Sequence, residues 1–158
     1  MALPTTYCAG DGTGSACPCG NEGSAGNGCA NSVNASGARL SGAGVASLAN
    51  DSVVLTGTGM PDSSALYFQG TTQQNGGLGS AFGDGLRCVA GSIVRLGTQS
   101  NTGGASQFPG AGDPSVSAKG LVTSAGTRTY QVWYRNAASF CTPSTFNLTN
   151  GIAVSWTP

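Results

Sequence analysis

The run Thr129–Asn136 alternates strictly, with Tyr130, Val132 and Tyr134 on one side and Gln131, Trp133 and Arg135 on the other. Successive residues of an extended chain point to opposite faces, so a period of two predicts a β-strand, here with a ring-filled apolar face. This is the densest aromatic stretch of the chain and is expected to organise the core, with Ile152–Trp156 as a partner strand.

Shorter alternating runs separated by glycine-containing turns predict further strands at Ala38–Leu40, Val45–Ala49, Ser52–Thr56, Ala65–Gln69, Leu86–Ala90, Ser92–Gly97 and Val116–Val122. The last two strands are expected at Thr127–Asn136 and Gly151–Thr157. No long segment keeps an apolar face at helical spacing without glycine. The expectation is a single all-β domain, an antiparallel β-sandwich of jelly-roll or immunoglobulin-like type. The polar, glycine-rich segments Thr71–Gly85 and Gln99–Pro114 read as spacers, although long loops are also where a rigid scaffold displays function.

The N-terminal part has a different texture. Residues 8–34 show almost no periodicity and are rich in Gly, Ser, Ala, Asn and Cys, which predicts a loop-rich head ahead of a β core over residues 35–158. Residues 1–7 contain no glycine and place Leu3, Thr5 and Tyr7 on one side, suited either to an extended arm or to a frayed terminus. They lack the basic start and apolar centre of an export leader.

The six cysteines, Cys8, Cys17, Cys19, Cys29, Cys88 and Cys141, form an even set in a small chain. That points to disulfides and an oxidising compartment, hence an extracellular or cell-surface location. Zinc is the competing use, but the chain has no histidine and Cys17-Pro18-Cys19 is not the usual knuckle spacing. Cys17 and Cys19 are too close to bridge each other, so they are expected to find different partners. The pairing expected is two bridges among Cys8, Cys17, Cys19 and Cys29 within the head, and Cys88 with Cys141 across the core.

Composition narrows the function classes. Of 158 residues 27 are Gly and only 8% are charged, with zero net charge and no run of one sign, which removes any electrostatic case for nucleic acid or an anionic membrane. No apolar run approaches the length of a membrane span. Near-zero net charge and a single lysine weaken the repulsion that keeps sheet edges apart, so self-association into an oligomer or polymer is expected.

The absence of histidine excludes Ser-His-Asp and Cys-His sites, and Glu22 is the only glutamate available for a pair of catalytic carboxylates. An enzyme is therefore not expected. Asp11 and Asp84, each flanked by glycines, are candidate calcium ligands, against the simpler reading that Asp-Gly makes tight turns. No other cofactor is implied. Trp133, Trp156 and Tyr67 are candidate sugar contacts, with Arg135 available to bond hydroxyls, against the simpler reading that such rings fill the core. Asn34, Asn50 and Asn147 open N-x-Ser/Thr patterns, which also occur as plain turns.

Longer motifs carry a resemblance. They are Tyr7-Cys8, Gly10-Asp11-Gly12-Thr13-Gly14, Cys17-Pro18-Cys19-Gly20-Asn21, Gly26-Asn27-Gly28-Cys29-Ala30-Asn31-Ser32 and Leu66-Tyr67-Phe68-Gln69-Gly70. The set continues with Phe82-Gly83-Asp84-Gly85-Leu86-Arg87-Cys88, Tyr130–Asn136 and Phe146-Asn147-Leu148-Thr149-Asn150-Gly151. Across nearly its whole length the chain resembles a family of uncharacterised secreted bacterial domains, common in planctomycetes and related marine lineages and often C-terminal in exported proteins. The resemblance implies export, a β-rich fold and a surface-appendage role without catalysis. The functional expectation is an extracellular structural module that assembles by donating its arm to a neighbour. The alternative is a carbohydrate-binding or calcium-stabilised adhesion module.

Overall fold

The computed structural model describes residues 4–158. The chain runs through β1 (Thr5–Tyr7), β2 (Arg39–Ala43), β3 (Val54–Thr58), β4 (Ser64–Gly70), β5 (Thr72–Gln73), β6 (Ser80–Phe82) and β7 (Gly85–Arg87). It continues through β8 (Val89–Ala90), β9 (Val94–Ser100), β10 (Ser106–Phe108), the short helix α1 (Val116–Lys119), β11 (Gly126–Arg135), β12 (Phe146–Leu148) and β13 (Gly151–Trp156).

The predicted organising stretch lies in β11, the longest strand. Its start pairs antiparallel with β13, its middle with β4 and its end with β12. The resulting sheet has the order β1-β13-β11-β4-β9, with β12 also on β11, and a second sheet has the order β10-β3-β2. Two ribbons, β5-β8 and β6-β7, complete an antiparallel, mostly β architecture.

Alternation assigns the faces as expected. Tyr130, Val132 and Tyr134 point inward with Tyr67, Ile152 and Val154, and meet Leu40, Leu55 and Phe108 of the smaller sheet in one apolar cluster. Polar groups caught between the sheets are paired, as burial requires. The Tyr67 hydroxyl donates to the Ser106 carbonyl at 2.7 Å and accepts from the Gly57 N–H at 3.0 Å. Asn150, fully buried, accepts from the Leu40 N–H at 2.8 Å and donates to the Leu40 carbonyl at 3.1 Å. One amide side chain thus gives β2 the two bonds that a neighbouring strand would supply.

The bridges depart from expectation. They are Cys8–Cys88, Cys17–Cys29 and Cys19–Cys141, so only Cys17–Cys29 closes within the head, and Cys88 does not pair with Cys141. The physical reason is that residues 8–34 pack against β12 as well as the end of the core, where Asn31 Nδ2 donates to the Tyr134 hydroxyl at 3.1 Å. Gly28 passes so close to β12 that a Cβ there would sit 2.3 Å from the Leu148 carbonyl oxygen. Asn147 Nδ2 donates to the Ala30 carbonyl at 3.0 Å, and Gln131, whose side chain lies on the second face of the large sheet, accepts from the Cys88 N–H at 2.9 Å. This docking brings Cys8 and Cys19 beside distant cysteines. Closing the 122-residue separation of Cys19–Cys141 restricts the unfolded chain by about 4–5 kcal/mol in the chain-entropy account.

Three element expectations are corrected. Val116–Val122 is not a strand: Ser115 caps α1 by accepting from the Ala118 N–H, and Gly120 ends it. Ser and Pro before an apolar residue outweighed the alternation there. Val45–Ala49 holds only an isolated bridge, Ser47 to Thr157. The two supposed spacers contain β5, β6 and β10.

The arm is already docked. Thr5, Thr6 and Tyr7 pair with Ala153, Ile152 and Gly151 of the same chain, forming one edge of the large sheet. The Tyr7 hydroxyl donates to the Cys88 carbonyl at 2.9 Å, and burial pushes its pKa up to about 12. Leu3 lies outside the described residues.

Candidate binding groove

The head and the segment Leu86–Cys88 cover only part of the second face of the large sheet. Where they stop, between β4, β9, β12 and the β6-β7 ribbon, an open groove of about 470 Å³ remains. Its floor follows from register: Leu66 stands opposite Trp133, and Phe68 stands opposite Arg95. A β-bulge helps build the far wall, because Tyr67 pairs with Gly97 and Phe68 with Arg95, leaving Leu96 as an extra residue in β9. Leu96 turns into the core and Arg95 is exposed at the groove.

Three rings make the near wall. Trp133 and Phe146 stack with centroids 5.0 Å apart at 26°, and Phe82 meets Phe146 at 4.8 Å and 59°. Gly83, at φ 58°, makes this possible: a Cβ there would lie 2.3 Å from the Phe146 ring. Phe82 and Ile93 are exposed large apolar side chains, at 41% and 40%.

Guanidinium groups complete the surface. Arg87 lines the groove and is held by donation from Nε to the Val89 carbonyl at 3.0 Å. Arg135 lies 4.9 Å from the Trp133 ring centroid, a cation–π distance, and donates from Nη1 to Thr145 Oγ1 at 3.0 Å. Among the described residues no carboxylate lines the groove.

The sugar-contact candidates divide. Tyr67 is fully buried and Trp156 is 2% exposed, its indole N–H donating to the Tyr130 hydroxyl at 3.0 Å, so neither ring can meet a ligand. Their alternation belonged to the inward face, which the smaller sheet covers. Trp133 alone of the three sits at the surface. The sequence reading missed Phe82, Phe146, Ile93, Arg87 and Arg95. The signal available was β11 itself, whose outward face carries Trp133 and Arg135. Phe82 and Phe146 join it from short elements that alternation is too brief to reveal.

Asp11 and Asp84 lie apart in role. Asp84 is fully buried, and its carboxylate accepts from Asn136 Nδ2 at 2.8 Å and from the Thr142 N–H and hydroxyl at 2.9 and 2.7 Å. Asp11 accepts from the Thr13 hydroxyl and N–H and from the Gly26 N–H; the Thr13 hydroxyl, then Gly26, hold its carboxyl below the usual aspartate value. Both act here as turn and loop organisers. Among the described residues no group of three or more His, Cys, Asp or Glu side chains is placed to hold a metal. Of the N-x-Ser/Thr asparagines, Asn147 is buried and bonded, whereas Asn50 is exposed.

Bridged antiparallel sheets carrying an open, ring-walled, cationic groove define a β-rich disulfide protein. No protein-family model, curated protein or solved structure matches the chain, so the resemblance drawn from its motifs stands on those motifs alone. Among the described residues no helix is long and apolar enough to cross a membrane.

Proposed function

We propose that the protein is a non-catalytic, extracellular glycan-binding module that lays a sugar chain along the groove. The two facing sheets serve as a small open β-sandwich, and the three disulfides suit an oxidising exterior. The observation that carries the reading is the row Trp133, Phe146 and Phe82 on an otherwise open sheet face, since aromatic rings gain by covering the apolar faces of pyranose rings. A binding rather than chemical role is supported by the lack of histidine and by the carboxylates, five of six of which accept hydrogen bonds within the fold.

Trp133 gives a direct readout. Titrating soluble polysaccharides should shift its fluorescence saturably, while buried Trp156 acts as the unchanged internal reference. Phe82→Ala, which keeps the reporter, should weaken the saturable response; an unchanged affinity in this variant rejects the groove as the site.

A second reading, a self-assembling structural subunit, is favoured by β1. Among the described residues three hold that edge, and the same pairing with β13 made between two copies would link them.

A further inference from the structure

We infer that the groove takes an acidic glycan, one bearing carboxylate or sulfate groups; the inference rests on the glycan-binding reading above. Every polar side-chain atom lining the groove is a donor: the guanidinium N–H groups of Arg87 and Arg95 and the indole N–H of Trp133. A neutral sugar presents hydroxyls that both donate and accept, and it finds no side-chain acceptor here. A carboxylate or sulfate presents only acceptors, and each pairs with guanidinium in a two-pronged geometry.

The charge balance points the same way. Arg87, Arg95 and Arg135 are three of the six cationic side chains of the whole protein, gathered on one face of a chain with zero net charge. The acids that could neutralise them are committed elsewhere. Asp51 accepts from the Val53 and Ser117 N–H groups, Asp62 from those of Gly103 and Gly104, and Asp113 from the Gly110 N–H and Gln99. Asp84, nearest in sequence to the groove wall, is consumed by Asn136 and Thr142. Arg87 and Arg135 are also anchored before any ligand arrives, which lowers the ordering cost of binding.

The shape favours a sugar over an acidic peptide. The floor is the face of a sheet whose strand β4 spends its main-chain groups on β9 and β11, so a peptide lying across that face finds no backbone partners on β4. A sugar ring needs only the flat apolar wall and the guanidinium groups beside it.

Matched ligands separate the possibilities. Calorimetric titrations of the intact protein would use polygalacturonate against its fully methyl-esterified form, and dextran sulfate against dextran. Within each pair the backbone is constant and only the charge differs. The expected result is binding to at least one charged member, no measurable binding to its neutral counterpart, and weakening with added salt. The polygalacturonate arm reports carboxylate recognition and the dextran sulfate arm reports sulfate. Arg95→Gln, at an exposed position where folding is not at stake, should weaken binding about tenfold. Phe82→Ala should weaken it as well, which an unspecific charge effect would not produce. Equal binding of charged and neutral members overturns the inference while leaving the glycan reading intact. Failure of all four to bind overturns both. Poly-L-glutamate binding as tightly as polygalacturonate replaces the sugar with an acidic peptide.

Discussion

Asn150 offers the sharpest test of how the two sheets are held together. Its side chain is fully buried and makes three hydrogen bonds, with the Leu40 N–H and carbonyl at 2.8 and 3.1 Å and with the Gly151 carbonyl at 3.2 Å. Asn150→Ala leaves both Leu40 groups unpaired in the buried interior. Each unsatisfied buried group costs about 1–3 kcal/mol, so a loss of about 3 kcal/mol is expected. For a chain of this size that lowers the Tm by about 6–12 °C. Asn150→Asp keeps the shape but turns the donating nitrogen into an oxygen facing two carbonyl oxygens. The buried carboxyl can restore the donor only by staying protonated, so its pKa in the folded state rises above that of the unfolded chain. Stability referred to wild type is then best at low pH and falls as pH climbs through the raised value, whereas Asn150→Ala adds no titrating group and follows the wild-type profile. Chemical denaturation followed by circular dichroism at several pH values measures both, with exposed Gln107→Ala as the neutral control. A loss below about 1 kcal/mol for Asn150→Ala, or parallel pH profiles for the two variants, refutes the reasoning.

Two further outcomes bear on the arm. Tyr7 has a phenol pKa raised by burial to about 12, so the folded state holds that proton more tightly than the unfolded chain, whose value is near 10. Its contribution is complete below about pH 10 and drains away as pH rises toward 12; Tyr7→Phe should remove that part of the alkaline loss, and an unchanged alkaline slope would dismiss it. If arms exchange between copies, concentrated protein should show slowly interconverting dimers by light scattering, and a chain lacking residues 1–7 should not. A full-length protein that stays monomeric at every concentration would remove exchange from the account.

What the sequence disclosed followed from period. Strands β4, β11 and β13 were legible because alternation persists through them, and their inward rings became the core. Elements of two or three residues, such as β5, β6 and β10, are too short to show a period and form because longer strands supply their partners. The bridge pattern was hidden for a different reason. Cys8 and Cys19 find Cys88 and Cys141 because residues 8–34 pack against β12, a choice made by tertiary packing around Gly28 and Asn147. The groove was half legible: alternation placed Trp133 and Arg135 outward together, but only the fold brings Phe82, Phe146 and Arg95 to them.

The order of the bridges along the chain has a consequence for survival among proteases. The circuits closed by Cys8–Cys88 and Cys19–Cys141 overlap, so a single scission anywhere between Cys8 and Cys141 falls inside at least one of them. Both fragments then remain on one molecule, held in place by the uncut strands. A nicked copy keeps every piece of its groove, and a protease must cut at least twice, or a reductant open the sulfurs first, before any piece of that stretch can leave.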